Sequence, residues 1–192
     1  MKYKVIIPVV FMSTLLMTGC GKGEPESTPS QSSVSTEAST TVMEEASFVS
    51  LDKVISAYKE QQPNTDITSI ELDKKLGKDL FKVTGRDIET EYEVSIDAVS
   101  GIVEKQEKET VDREEQTKAD VEQKKVELNG LLSIEDIMSK AKKETNLTEI
   151  DEMELTKELD KTYWKVSLKE GTTETEISLD AKSGDVLQIE AD

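Results

Sequence analysis

The second half of this chain repeats the first at a fixed offset, and that duplication limits the fold more than any other feature. Asp97-Ala98-Val99-Ser100-Gly101-Ile102-Val103 recurs 83 positions later as Asp180-Ala181-Lys182-Ser183-Gly184-Asp185-Val186. The same offset relates Ser50 to Ser133, Ile67 to Ile150, Glu71-Leu72 to Glu154-Leu155, Lys82-Val83 to Lys165-Val166, and Glu91 and Glu93 to Glu174 and Glu176. No gap is needed, and apolar positions stay in phase throughout. Whatever architecture one copy adopts, the other must adopt too.

Each copy opens with a helix signal. Ser50 precedes Leu51, Val54, Ile55 and Tyr58, and Ser133 precedes Ile134, Ile137, Met138 and Ala141, so the apolar residues fall on one helical face. Serine at the N-cap accepts from first-turn amides, while Asp52, Glu135 and Asp136 complement the positive helix end. Asp136, three after Ser133, resembles a capping box. Pro63 stops the first helix, and Asn146 holds the matching place in the second. The period then switches from 3.6 to 2, predicting strands over 67–74, 80–84, 89–97 and 102–105, and again over 150–157, 163–168, 173–180 and 186–189. Turns are expected at Gly85-Arg86-Asp87, Ser100-Gly101, Glu170-Gly171 and Ser183-Gly184. The fold class is α+β, two repeats, each one helix packed on a roughly four-stranded antiparallel sheet.

This order of elements resembles the PepSY domain. The resemblance is carried by Phe81-Lys82-Val83, Tyr92-Glu93-Val94-Ser95-Ile96-Asp97-Ala98, Ser100-Gly101 and Val103 in the first copy. The second supplies Trp164-Lys165-Val166, Glu176-Ile177-Ser178-Leu179-Asp180-Ala181, Ser183-Gly184 and Val186. That family occurs in propeptides of secreted metallopeptidases and in bacterial surface lipoproteins, and is thought to restrain peptidases. The resemblance implies a non-catalytic binding or inhibitory module with a protein partner, such as a secreted peptidase. The alternative is a surface sensor or regulator touching a membrane kinase or a cell-wall enzyme.

The N-terminus points to export. Lys2 and Lys4 precede an apolar run over residues 5–17, too short for the roughly 20 residues of a spanning helix. It ends at Met17-Thr18-Gly19-Cys20, which resembles a bacterial lipoprotein signal, with Met17 where leucine is usual. Residues 1–19 are then a signal peptide and Cys20 is the lipidated anchor. The expected location is the cell membrane, extracytoplasmic face, in a Gram-positive-like envelope, with the lipid as the only membrane contact. Residues 20–47 are rich in Ser, Thr, Glu and Pro and read as a disordered tether. The modules follow at 48–106 and 131–192, joined by a charged linker over 107–130 in which Val111, Ala119, Val121 and Val126 are too sparse for a core-facing stripe, so that it reads as a solvated linker or a mobile helix. Unstapled modules of this size are marginal alone, so the two are expected to pack together in a monomer.

Composition narrows the chemistry. With no His, the chain lacks the one side chain that ordinarily titrates near neutrality, and zinc loses its usual ligand. The net charge of −17, which becomes −19 without Lys2 and Lys4, opposes nucleic acid. No catalytic residue, metal or cofactor is expected. Asp97 and Asp180 read as turn-formers whose carboxylates accept from nearby amides. Glu91, Glu93, Glu174 and Glu176 alternate with apolar residues and face solvent. Phe81 and Trp164 share the parity of Val83 and Val166 and belong to the core. Leu80 and Tyr163 then point outward beside Lys82 and Lys165, and these four are the expected partner-binding residues.

Overall fold

The computed structural model describes residues 47–74 and 77–191; the predicted anchor Cys20 and its tether lie outside these. Helix α1 (Leu51–Gln61) starts where Ser50 Oγ accepts from Lys53 N, and it buries Leu51, Val54 and Tyr58. Its counterpart α3 (Ile134–Ala141) starts where Ser133 Oγ accepts from Asp136 N and buries Ile134, Ile137 and Ala141, the same three repeat positions. Ser133 Oγ also meets the Asp136 carboxylate at 2.8 Å. Between them lies α2 (Lys118–Lys124).

The strands are β1 (Asp66–Asp73), β2 (Leu80–Arg86), β3 (Thr90–Asp97), β4 (Val103–Thr110), β5 (Glu149–Glu158), β6 (Lys161–Glu170), β7 (Thr173–Asp180) and β8 (Val186–Ala191). They form one antiparallel sheet in the order β4-β3-β2-β1-β5-β6-β7-β8. The two modules therefore share backbone hydrogen bonds along β1 and β5, a closer union than packing of separate sheets or helices. Glu71 faces Glu154 across that seam, Ile70 faces Leu155 and Leu72 faces Met153. Because Glu71 and Glu154 are repeat equivalents, a local twofold axis passes between them. The duplication extends to irregularities. Register shifts at Ile67/Ser69 and Ser95/Ile96 recur at Ile150/Glu152 and Ser178/Leu179. Val49 N donates to Ala98 O and Leu132 N to Ala181 O, stitching each helix entry to its Asp-Ala turn.

Both helices cover one face of the sheet, over a core that includes Ile70, Phe81, Val94 and Ile96 in the first module and Met153, Trp164, Ile177 and Leu179 in the second. The two halves solve one packing problem in opposite ways. The first sets bulky Tyr58 against Gly85, and the second has small Ala141 and buried Leu168 at the equivalent positions. Gly85, expected in a turn, lies within β2 because a Cβ there would stand 2.7 Å from Asp66 O and overlap the Tyr58 hydroxyl. That hydroxyl pairs with Thr65 Oγ1 at 2.9 Å, and burial pushes its pKa up to about 12. Gly85→Leu should cost about 3 kcal/mol from overpacking, and adding Tyr58→Ala should recover at least about 1 kcal/mol of it. Urea midpoints of the two single variants and the double variant measure the coupling; additive costs would contradict the exchange.

The segment between modules is more ordered than its charge suggests. Its first residues, through Thr110, extend β4 well past the expected end. A 3₁₀ turn follows at Arg113–Glu115, held by Arg86, which is 1% exposed and donates through Nη2 to Glu115 O at 2.7 Å. Val121 and Val126 are buried, and Val126 N donates to Ile67 O at 3.0 Å. Two valines suffice here because α2 rests chiefly on β1 and β5, at the end of the seam.

Candidate protein-docking surface

Alternation along each strand turns one set of side chains to the helices and the other to the opposite face. On that helix-free face the register generates a transverse row, Lys105-Ser95-Lys82-Glu71-Glu154-Lys165-Ser178-Gln188, that reads nearly the same from either end. Flanking rows add Asp73, Glu93, Asp97, Glu107, Glu152, Glu176, Asp180 and Glu190, so the face is strongly anionic.

Its charges are unequally compensated. Lys82 Nζ donates to Asp73 Oδ2 at 2.7 Å and Glu71 Oε1 at 3.2 Å, and chiefly the Asp73 bond holds its pKa above the ordinary lysine value. Glu154 has no such clamp. Burial raises its pKa, Lys165 opposes that, and Glu71, Glu152 and Glu176 add to the rise. A carboxyl that binds its proton more tightly in the folded chain stabilises the fold most below its ordinary pKa of 4.5, and that contribution is lost as pH rises through the raised value. Glu154→Gln should therefore raise the urea midpoint at neutral pH and flatten its fall as pH rises from the ordinary carboxylate value through the raised one. Asp97 and Asp180 act with the opposite sign, since hydrogen bonds from the Ser100 and Ser183 amides hold their carboxyls below 3.8. Their stabilisation fades only as pH falls through those lowered values.

The four predicted contact residues share this face but not one spot. Leu80 and Lys82 lie on β2, Tyr163 and Lys165 on β6, with β1 and β5 between. At about 4.8 Å per strand, the two pairs stand roughly 14 Å apart. Leu80 is half-buried, and Tyr163 is only 9% exposed, with its hydroxyl donating to Glu158 Oε2 at 3.2 Å. Parity is as expected, yet the ring is less free than an outward residue should be, because neighbouring side chains close around it. Phe81 and Trp164 are fully buried. The two Asp-Ala turns also behave as read. Asp97 Oδ1 accepts from Ser100 N at 2.7 Å and Asp180 Oδ1 from Ser183 N at 2.9 Å, while Gly101 and Gly184 take φ of +74° and +69°.

Among the described residues no group of three or more carboxylate or thiol ligands gathers for a metal. A cleft of about 740 Å³ runs between the linker and the β5–β6 hairpin. Three of its lysines are paired: Lys125 with Asp66 at 3.0 Å, Lys157 with Asp160 at 3.8 Å and Lys161 with Asp180 at 3.8 Å.

Sequence reasoning missed the sheet's two ends. Strand β4 carries Glu104, Lys105, Glu107, Lys108 and Glu109, and Lys78 bridges its corner to Glu104 and Asp97. At the other end, β8 carries Val186, Leu187 and Ile189, each 40–46% exposed. Leu187 replaces Glu104 and Ile189 replaces Gln106 at the 83-residue offset, a divergence legible in the alignment of the halves. Leu187, Tyr163 and Leu159 line a cavity of about 340 Å³ with Glu158, Lys161 and Gln188. Leu159 sits at the β5–β6 hairpin tip, 93% exposed and at φ +47°.

The profile of the PepSY family, described as peptidase propeptide and YPEB domain, matches residues 49–107 and again 131–190. A crystal structure of a candidate lipoprotein from Clostridium difficile 630 is similar to this chain with a TM-score of 0.71 and 30% identity, over 79% of this chain and 98% of that one. No curated protein matches. No helix among the described residues is long and apolar enough to cross a membrane.

Proposed function

The chain belongs to the PepSY family, and from that we propose that it is a non-catalytic, lipid-anchored surface protein that binds another protein and holds or inhibits an extracytoplasmic peptidase. The observation that carries this reading is the family match in both modules, fused into one rigid sheet whose helix-free face and ends are open to a partner. The similarity to a candidate lipoprotein supports attachment through Cys20. An anionic body gains nothing from an anionic membrane surface, so attachment then depends on the acyl chains.

Two experiments test this. Cys20→Ala should abolish incorporation of labelled palmitate and release the chain from the membrane fraction; retention there would refute the anchor. The full chain on beads, exposed to the organism's secreted proteome, should retain a peptidase whose activity is lowered in its presence. Recovery of membrane kinases or wall enzymes alone would favour a surface regulator instead.

A further inference from the structure

We propose that β8 is a strand-addition site, taking an extended segment of the partner protein that alternates apolar and basic side chains. This deepens the reading above and rests on it.

Two ends of one sheet descend from one ancestral strand, so their differences are informative. Open strand edges invite unwanted pairing and are ordinarily blunted by charge. The β4 end is so blunted along its whole length, but the β8 end has exchanged Glu104 for Leu187, Lys105 for Gln188 and Gln106 for Ile189. Its unpaired backbone groups therefore lie beside exposed apolar side chains, the arrangement that recognises an added strand.

The corner next to β8 is built to match. Where the first module closes its corner with the Lys78–Glu104 ion pair, the second leaves the cavity of about 340 Å³ between Leu159, Tyr163 and Leu187. Leu159 holds a left-handed conformation that favours glycine or asparagine, at a tip where no described residue covers its side chain. A contact with a bound segment accounts for a leucine there.

Charge identifies the occupant. A strand beside β8 would send alternate side chains to the helix-free face, near Glu176 and Glu190, where basic groups are matched. Its other side chains would fall beside Val186 and Ile189, which suit apolar groups. A second copy fits poorly, because two chains of net charge −17 would join their acidic faces into one surface.

The test uses the full chain and a labelled peptide, acetyl-Lys-Val-Lys-Leu-Lys-Val-Lys-amide. Its controls are the same peptide with Glu for Lys, and one N-methylated at alternate residues. The basic peptide should bind and slow amide exchange across Val186–Ala191, and both controls should fail. Leu187→Glu with Ile189→Gln installs the first module's own residues, so circular dichroism should be unchanged while peptide affinity falls about tenfold or more. No binding, equal binding by the variant, protection at β4, or protection that depends on chain concentration without peptide would each overturn the proposal, the last in favour of self-association. If this variant captures a peptidase as well as the parent does, the edge is wrong and the peptidase reading stands. If the peptide binds β8 but the parent captures no peptidase, the reverse holds.

Discussion

Trp164→Ala is expected to destabilise the chain by about 4 kcal/mol, the usual cost of emptying a core site of an indole. For a folded unit of this size that lowers Tm by roughly 10 °C, and chemical denaturation followed by far-ultraviolet circular dichroism would measure it. The expectation rests on position. Trp164 is fully buried on β6, between Leu155 and Leu179 in register, at the place Phe81 occupies in the first module. Trp164→Phe should behave differently, costing less than about 1.5 kcal/mol. The buried indole Nε1–H finds no hydrogen-bond partner among the described residues, a defect that Phe removes while retaining most of the ring's packing. A loss as large as that of Ala would mean that the full indole volume, and not an aromatic ring, is what the core requires.

The second large effect is expected at the seam. Glu154→Pro places an imino acid in a strand paired on both sides, where it removes a ladder donor and orphans a carbonyl inside the sheet, at a cost of about 3 kcal/mol or more. Because β1 and β5 join both modules, the loss should not be confined to one of them. Calorimetry of the parent should show one transition, and the variant should show either one transition at lower temperature or two separated ones. Amide exchange in α1 and α3 should accelerate together. An unchanged first module beside a weakened second would show that the seam transmits no stability.

How much of this was legible beforehand depended on which interactions a residue's neighbours in sequence can reveal. The helix starts were readable because the cap, Ser50 or Ser133, lies three positions from the amide it accepts. Strand parity was readable because a single periodicity determines it, so Phe81 and Trp164 fell in the core as expected. The Asp-Ala-x-Ser-Gly turns were likewise local. Gly85 was misplaced into a turn because its glycine is required by Tyr58, 27 positions away. The order in the linker was missed because Arg86 and the seam supply its anchors from outside the segment. On the surface, Tyr163 was placed on the correct face, but the cavity it lines with Leu159 and Leu187 depends on different strands and turns meeting at one corner. That both modules lie in one sheet depends on β1 meeting β5, which no local pattern encodes.

The local twofold at Glu71 and Glu154 has a consequence for stoichiometry. A true homodimer of such modules would be bound by its symmetry to present the same edge twice, and either two open ends or two closed ones would follow. Fusion into one chain lifts that obligation, so one terminus of the sheet could become highly charged while the other became apolar. A molecule with one closed terminus can lengthen its sheet in only one direction. It is monovalent: its sheet can take up an added strand at one terminus, and it cannot join two partners edge to edge.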